Sequence, residues 1–114
     1  MSKRDELITK YAADIGDRFN ITPDMDFLTR VTIGLGPAIY NSDSSKVSGS
    51  DEKELETVKN NFLIKKLGMT DGPELMQAIT NVMDRYGSSV NNKYRAVVYY
   101  MLAKHFSKES VYDQ

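Results

Sequence analysis

Residues 41 to 52, NSDSSKVSGSDE, crowd oxygen-bearing side chains together more densely than any other stretch of the chain, and the chemistry this suggests is calcium binding. Laid on a twelve-position EF-hand loop, Asn41, Asp43 and Ser45 fall at positions 1, 3 and 5, the Val47 carbonyl at 7 and Glu52 at 12. The register fails at its tightest point, because position 6 needs glycine for a sharp turn and holds Lys46, a cation beside the site. Position 8, ordinarily apolar, is Ser48, and Gly34, Gly36 and Pro37 break the helix that would have to enter the loop. No metal is therefore expected. The stretch reads as a polar inter-helix loop over 41–49 that delivers Ser50 as an N-cap, with Asp51 and Glu52 against the helix dipole.

The single histidine, His105, falls on the apolar side of the last helix near its C-terminus, where a packed or dipole-paired imidazole is the plain reading. The chain has no cysteine, so disulfides and thiolate metal sites are excluded. Its carboxylates are scattered without a Glu-x-x-His pairing. No catalytic residue and no cofactor is expected, and an enzyme using carboxylates and His105 stands as an alternative only. Gly34-Leu35-Gly36-Pro37 lacks both the preceding strand and the following Lys-Ser/Thr of a phosphate cradle.

The most suggestive stretch is NNKYRAVVYYMLAKHFSK, residues 91–108, with four basic residues, three tyrosines and no acid. With Tyr94 turned inward, Lys93, Arg95, Tyr99, Tyr100 and Lys104 remain around the helix as a candidate interaction surface. Basic side chains interleaved with aromatics can contact phosphates and stack on bases, which makes nucleic-acid binding the second alternative. A sequence pI near 5.8 argues against a dedicated nucleic-acid binder. Tyrosine is also favoured in protein interfaces, and Tyr99, Tyr100 and Tyr112 support the leading expectation of a non-enzymatic protein acting through protein contacts, a homodimer included.

These residues need elements to hold them, and the apolar periodicity is helical throughout. Five helices are expected, at about 2–19, 22–35, 50–67, 72–86 and 92–106. Ser2 caps the first, whose inward stripe is Leu7, Ile8, Tyr11, Ala12, Ile15 and Phe19. Thr22-Pro23 starts the second, with Met25, Leu28, Val31, Thr32 and Leu35 inward. The third runs from Ser50 to a stop at Gly68, with Leu55, Val58, Phe62 and Leu67 inward. The box Asp71-Gly-Pro-Glu74 opens the fourth, which buries Leu75, Ile79, Val82, Met83 and Tyr86. The fifth carries bulk on one side and Ala96 and Ala103 on the other, so it belongs between neighbours at the centre of the bundle. No strand is expected, and 109–114 reads as a flexible tail.

With 114 residues, 40% hydrophobic and 27% charged, the chain has the composition of one globular domain, 1–114, able to bury a core of its own. MSKRDELITKYAADIGDRF has no apolar run of seven residues, so no secretory signal and no membrane span are expected, and the cytoplasm is the expected location. Net charge is −1, unevenly spread: residues 1–57 hold 7 basic and 11 acidic side chains, and 58–114 hold 8 and 5. This asymmetry suits either docking of one half on the other or association between copies.

VKNNFLIKKLG at 58–68, NKYRAVVYYMLAKHF at 92–106 and KESVY at 108–112 resemble a small bacterial family catalogued only as a domain of unknown function. The resemblance spans nearly the whole chain. It implies a compact helical, cytoplasmic, bacterial protein, and it supplies no activity, ligand or catalytic residue.

Overall fold

The capping residues decide where each helix begins. The computed structural model describes residues 2–90 and 93–113. Among them five α-helices follow in order: α1 (Lys3–Phe19), α2 (Met25–Leu35), α3 (Glu52–Thr57), α4 (Pro73–Tyr86) and α5 (Arg95–His105), so the fold is mostly all-α. Ser2 caps α1 as expected, its hydroxyl accepting from the Asp5 amide at 3.1 Å. Asn20 ends α1 in the left-handed conformation, φ 57°, which asparagine tolerates better than most residues.

Three starts differ from expectation. Helix α2 is capped by Asp24 rather than Thr22: the Asp24 carboxylate accepts from the Phe27 amide at 3.1 Å, and its own N–H donates to the buried Tyr100 hydroxyl at 2.7 Å. That second bond fixes the chain at Asp24 and leaves Thr22 and Pro23 outside the helix. Helix α3 is capped by Asp51 rather than Ser50, with Lys53 and Glu54 amides donating to its carboxylate. The box expected at α4 does not form. Asp71 instead pairs with Lys59 at 3.4 Å, while the Glu74 carboxylate folds back over Gly72. Gly72 takes the cap position with no side-chain bond, and Pro73 opens the helix where a missing N–H costs nothing.

Helix α3 continues as a nine-residue π-helix, Val58–Lys66. The apolar spacing explains this. An α-helical repeat running on from Val58 and Phe62 would bring Lys65 or Lys66 inward, whereas wider turns bury Val58, Phe62, Leu63 and Leu67 and leave both lysines in solvent. The Leu67 amide closes the last wide turn on the Phe62 carbonyl at 2.9 Å. Gly68, at φ 71°, ends the element at the expected position.

The expectation of no strand fails locally. Lys46–Val47 (β1) and Lys93–Tyr94 (β2) form a two-residue antiparallel ribbon, Lys46 opposite Tyr94 and Val47 opposite Lys93. Two residues are too few to show alternation in a sequence. The ribbon also moves the start of α5 from the expected Asn92, which lies outside the described residues, to Arg95.

Helix α5 occupies the centre as expected, packed on α1, α2 and α4. Ala96, Val97, Val98, Tyr100, Met101, Leu102 and Ala103 are all buried along it. A hydroxyl bond closes the N-terminal end of the apolar row. The Tyr86 hydroxyl donates to Asp14 at 2.5 Å and accepts from the Tyr94 amide at 3.1 Å, and burial, then Asp14, pushes its ionisation far above the usual tyrosine range. Residues 109–113, expected as a tail, form a 3-10 turn. Tyr112 packs edge-on against Phe27 at 5.5 Å and lies over Gly34, where an added Cβ would sit 3.1 Å from its ring. Asp113 pairs with Arg30. Gln114 is outside the described residues.

The Phe27 amide first, then Lys104 at 3.4 Å, hold the Asp24 carboxylate below its ordinary value of 3.8. A depressed folded value gives stability that is present above the unfolded value and is lost as pH falls through the folded one. Asp24→Asn is therefore expected to be less stable than wild type near neutral pH, with the gap closing below pH 3.8. Urea midpoints of both proteins across that range check the sign.

Candidate functional site

The five residues expected to form a surface on the last helix do different work. Arg95, rooted in the first turn of α5, reaches across to the polar loop. Its guanidinium donates to the Ser44 carbonyl at 2.7 Å, the Lys46 carbonyl at 3.1 Å and the Tyr99 hydroxyl at 3.2 Å, and pairs with Glu54 on α3. The forked planar group suits a task of bridging several acceptors at once. The Arg95 amide adds a bond to the Ser45 carbonyl at 2.8 Å.

Tyr99 is stacked on Phe62 of the π-helix at 3.8 Å between centroids and 12° between planes. Tyr100 is buried, its hydroxyl holding the start of α2. Lys104 is shared between Asp24 at 3.4 Å and Glu109 at 3.5 Å. Lys93 is 4% exposed and points away from the helix into a hollow beside α4. The five are thus mostly packing and tethering groups, and they do not converge on one exposed face. Tyr112 is likewise half-buried. The aromatic faces that stacking on bases would require are occupied by Phe62, Phe27 and the core.

The polar loop is ordered by its own bonds. Asn41 Oδ1 accepts from the Asp43 and Ser44 amides at 2.8 and 3.2 Å, an Asx turn. Of the groups laid on calcium positions, Asn41 Oδ1 is taken up by these two amides, Val47 lies in the ribbon and Glu52 in the first turn of α3. Among the described residues no group of three or more His, Cys, Asp or Glu lies close enough to hold a metal ion. His105, expected on the apolar side, is exposed, its ring edge-on to Phe106 at 4.7 Å. The physical reason is that α5 ends at His105, past the last turn flanked on two sides.

What the sequence reading missed lies on α2. The exposed large apolar side chains among the described residues are Ile21, Met25, Ile33 and Tyr40. Met25, expected inward, is 46% exposed and Ile33 is 52% exposed. Positions 25, 29 and 33 form one i, i+4 row, bridged by the half-buried Thr29. Ile33 and Tyr40 border one shallow hollow together with Arg4 from α1. The spacing of Met25 and Ile33, eight apart, carries a signal of this row, but Met25 also fits the inward stripe with Leu28.

A family model described as a protein of unknown function (DUF2853) matches residues 10–110 of the chain. The chain belongs to this family. A comparison with curated proteins finds no match. The matched span takes in the α2 row, the ribbon and α5 but neither Arg4 nor Tyr112, and it assigns a role to none of these residues.

Arg95→Ala removes a donor that serves two loop carbonyls and a partly buried carboxylate, leaving all three short of a partner. A loss of about 2 kcal/mol is expected in urea unfolding. Arg95→Lys should fall between the two, because a point charge cannot span the same acceptors.

Proposed function

We propose that this chain is a cytoplasmic, non-enzymatic helical protein that acts through protein contacts, and that its first contact is with a second copy through the outer row of α2. The single observation that carries this reading is that Met25 and Ile33 are exposed on one i, i+4 row of α2, with the exposed Tyr40 beside Ile33 at a shared hollow. Scattered exposed apolar residues need no explanation, but a contiguous group is a mark of an interaction face. The absence of cysteine suits a reducing compartment. No helix among the described residues is long and apolar enough to cross a membrane.

A second copy is favoured because the row is complementary to itself. Met25 begins it beside the first-turn acid Asp26, and Ile33 ends it beside Arg4. Laid antiparallel, Met25 meets the partner's Ile33, and Asp26 meets the partner's Arg4. The apolar centre is small, so the pair is weak and forms between micromolar and near-millimolar concentration.

Sedimentation velocity over that range, repeated with Ile33→Lys and Met25→Glu, is the test. Wild type should shift toward dimer with concentration, and each variant should stay monomeric with an unchanged far-UV circular dichroism spectrum. The double variant should recover association in part, since opposite charges then face each other across the pair. A wild type that remains monomeric at the highest concentration removes the reading.

A further inference from the structure

Lys93 is the only fully charged side chain classed as buried among the described residues, and no carboxylate pairs with it there. Its ammonium has three donors, and the bond found for it is to the Val90 carbonyl at 2.6 Å. The ribbon explains how the side chain is delivered. Lys93 sits opposite Val47 and next to Tyr94, so alternation sends Tyr94 toward Tyr11, 5.0 Å away, and Lys93 to the other face.

There it lines a hollow of about 300 Å³, together with Ser48, Gly49 and Ser50 from the loop before α3, and Asp84 and Ser88 from α4 and the turn after it. Gly49 makes the approach possible, since a Cβ there would lie 3.0 Å from Lys93 Nζ and 3.2 Å from its Cε. Any larger residue would crowd the amine there. A lysine kept only for packing would carry its charge out to water along its flexible stem. This one stays inside, and burial holds its ammonium below the usual lysine range.

This buried cation is bonded to one neutral acceptor and has no carboxylate within ion-pair distance among the described residues, and the Ser48, Ser50 and Ser88 hydroxyls that line the same hollow can turn their protons toward an incoming oxygen. We propose that this hollow binds a small oxyanion, the carboxylate or phosphoryl group of a small molecule, through the Lys93 ammonium and the hydroxyls of Ser48, Ser50 and Ser88. The hollow lies at the lower end of the range for small-molecule sites, roughly 300 Å³ upward, which suits a ligand of a few carbons. Asp84 at the same hollow opposes negative charge, so highly charged ligands such as pyrophosphate are disfavoured.

Amide chemical shifts of the full chain, titrated with sodium acetate, sodium phosphate, sodium pyrophosphate and sodium chloride at matched ionic strength, test this directly. Saturable shifts at residues 48–50, 88–90 and 93 are expected with acetate or phosphate and not with chloride. The stronger of the two names the head group. Lys93→Met should abolish the response, and Asp84→Asn should tighten it several-fold, opposite signs that a packing role for both residues does not produce. The proposal is overturned if chloride moves the same amides equally, if pyrophosphate is the tightest probe, if Lys93→Met titrates like wild type, or if none of these amides moves. Should Lys93→Met fail to fold, the wild-type and Asp84→Asn titrations decide the matter without it.

Discussion

The burial of α5 on nearly every side is the constraint from which the remaining structure follows. A helix with so little solvent face must be covered by neighbours on most sides, and here α1, α2 and α4 cover it up to its last turn. Its side chains must then either be apolar or find polar partners inside the protein. Tyr100 finds one in the Asp24 amide, and that bond sets where α2 begins. Arg95 finds several in the polar loop and α3, and those bonds set the path of residues 44–46. One buried helix thus positions two segments that are remote from it in sequence.

The same constraint explains why the sequence showed the helices well and their ends poorly. The inward stripes of α1 and α4 could be read directly, because periodicity survives in each helix taken alone. Tyr11, Ile15, Ile79 and Tyr86 are buried where expected. The starts of α2, α3 and α4 were misplaced because each was decided by a competitor elsewhere: the Tyr100 hydroxyl for α2, the neighbouring Asp51 for α3, and Lys59 for the acid of the expected box at α4. Local capping chemistry offers several candidates within two or three residues, and tertiary contacts choose among them.

The five residues of the candidate surface are dispersed for a related reason. A helical wheel divides residues into an inner and an outer half, and a centrally placed helix has no outer half. Once α5 was taken as central, Tyr99, Tyr100 and Arg95 had to meet neighbours. The stacking of Tyr99 on Phe62 follows from that placement, and so does the internal use of the Arg95 fork. The exposed apolar face belongs instead to α2, a helix at the periphery, where the inward arc is narrower than the apolar content. Phe27, Leu28, Val31 and Thr32 already fill the arc, so Met25 and Ile33 are left over.

Charge distribution adds one further step. The acidic first half and basic second half meet within the molecule through Arg95 with Glu54 and Lys104 with Asp24. Part of the asymmetry is therefore used intramolecularly, while Arg30 with Asp113 pairs the two halves in the opposite sense. The contact proposed between molecules rests chiefly on the apolar row of α2 instead. The proposed small-ligand site rests on Lys93, a buried basic group with no carboxylate in ion-pair distance among the described residues. The two features are on different elements and rest on different physics, one on apolar area and the other on an unbalanced buried charge, so either can stand without the other.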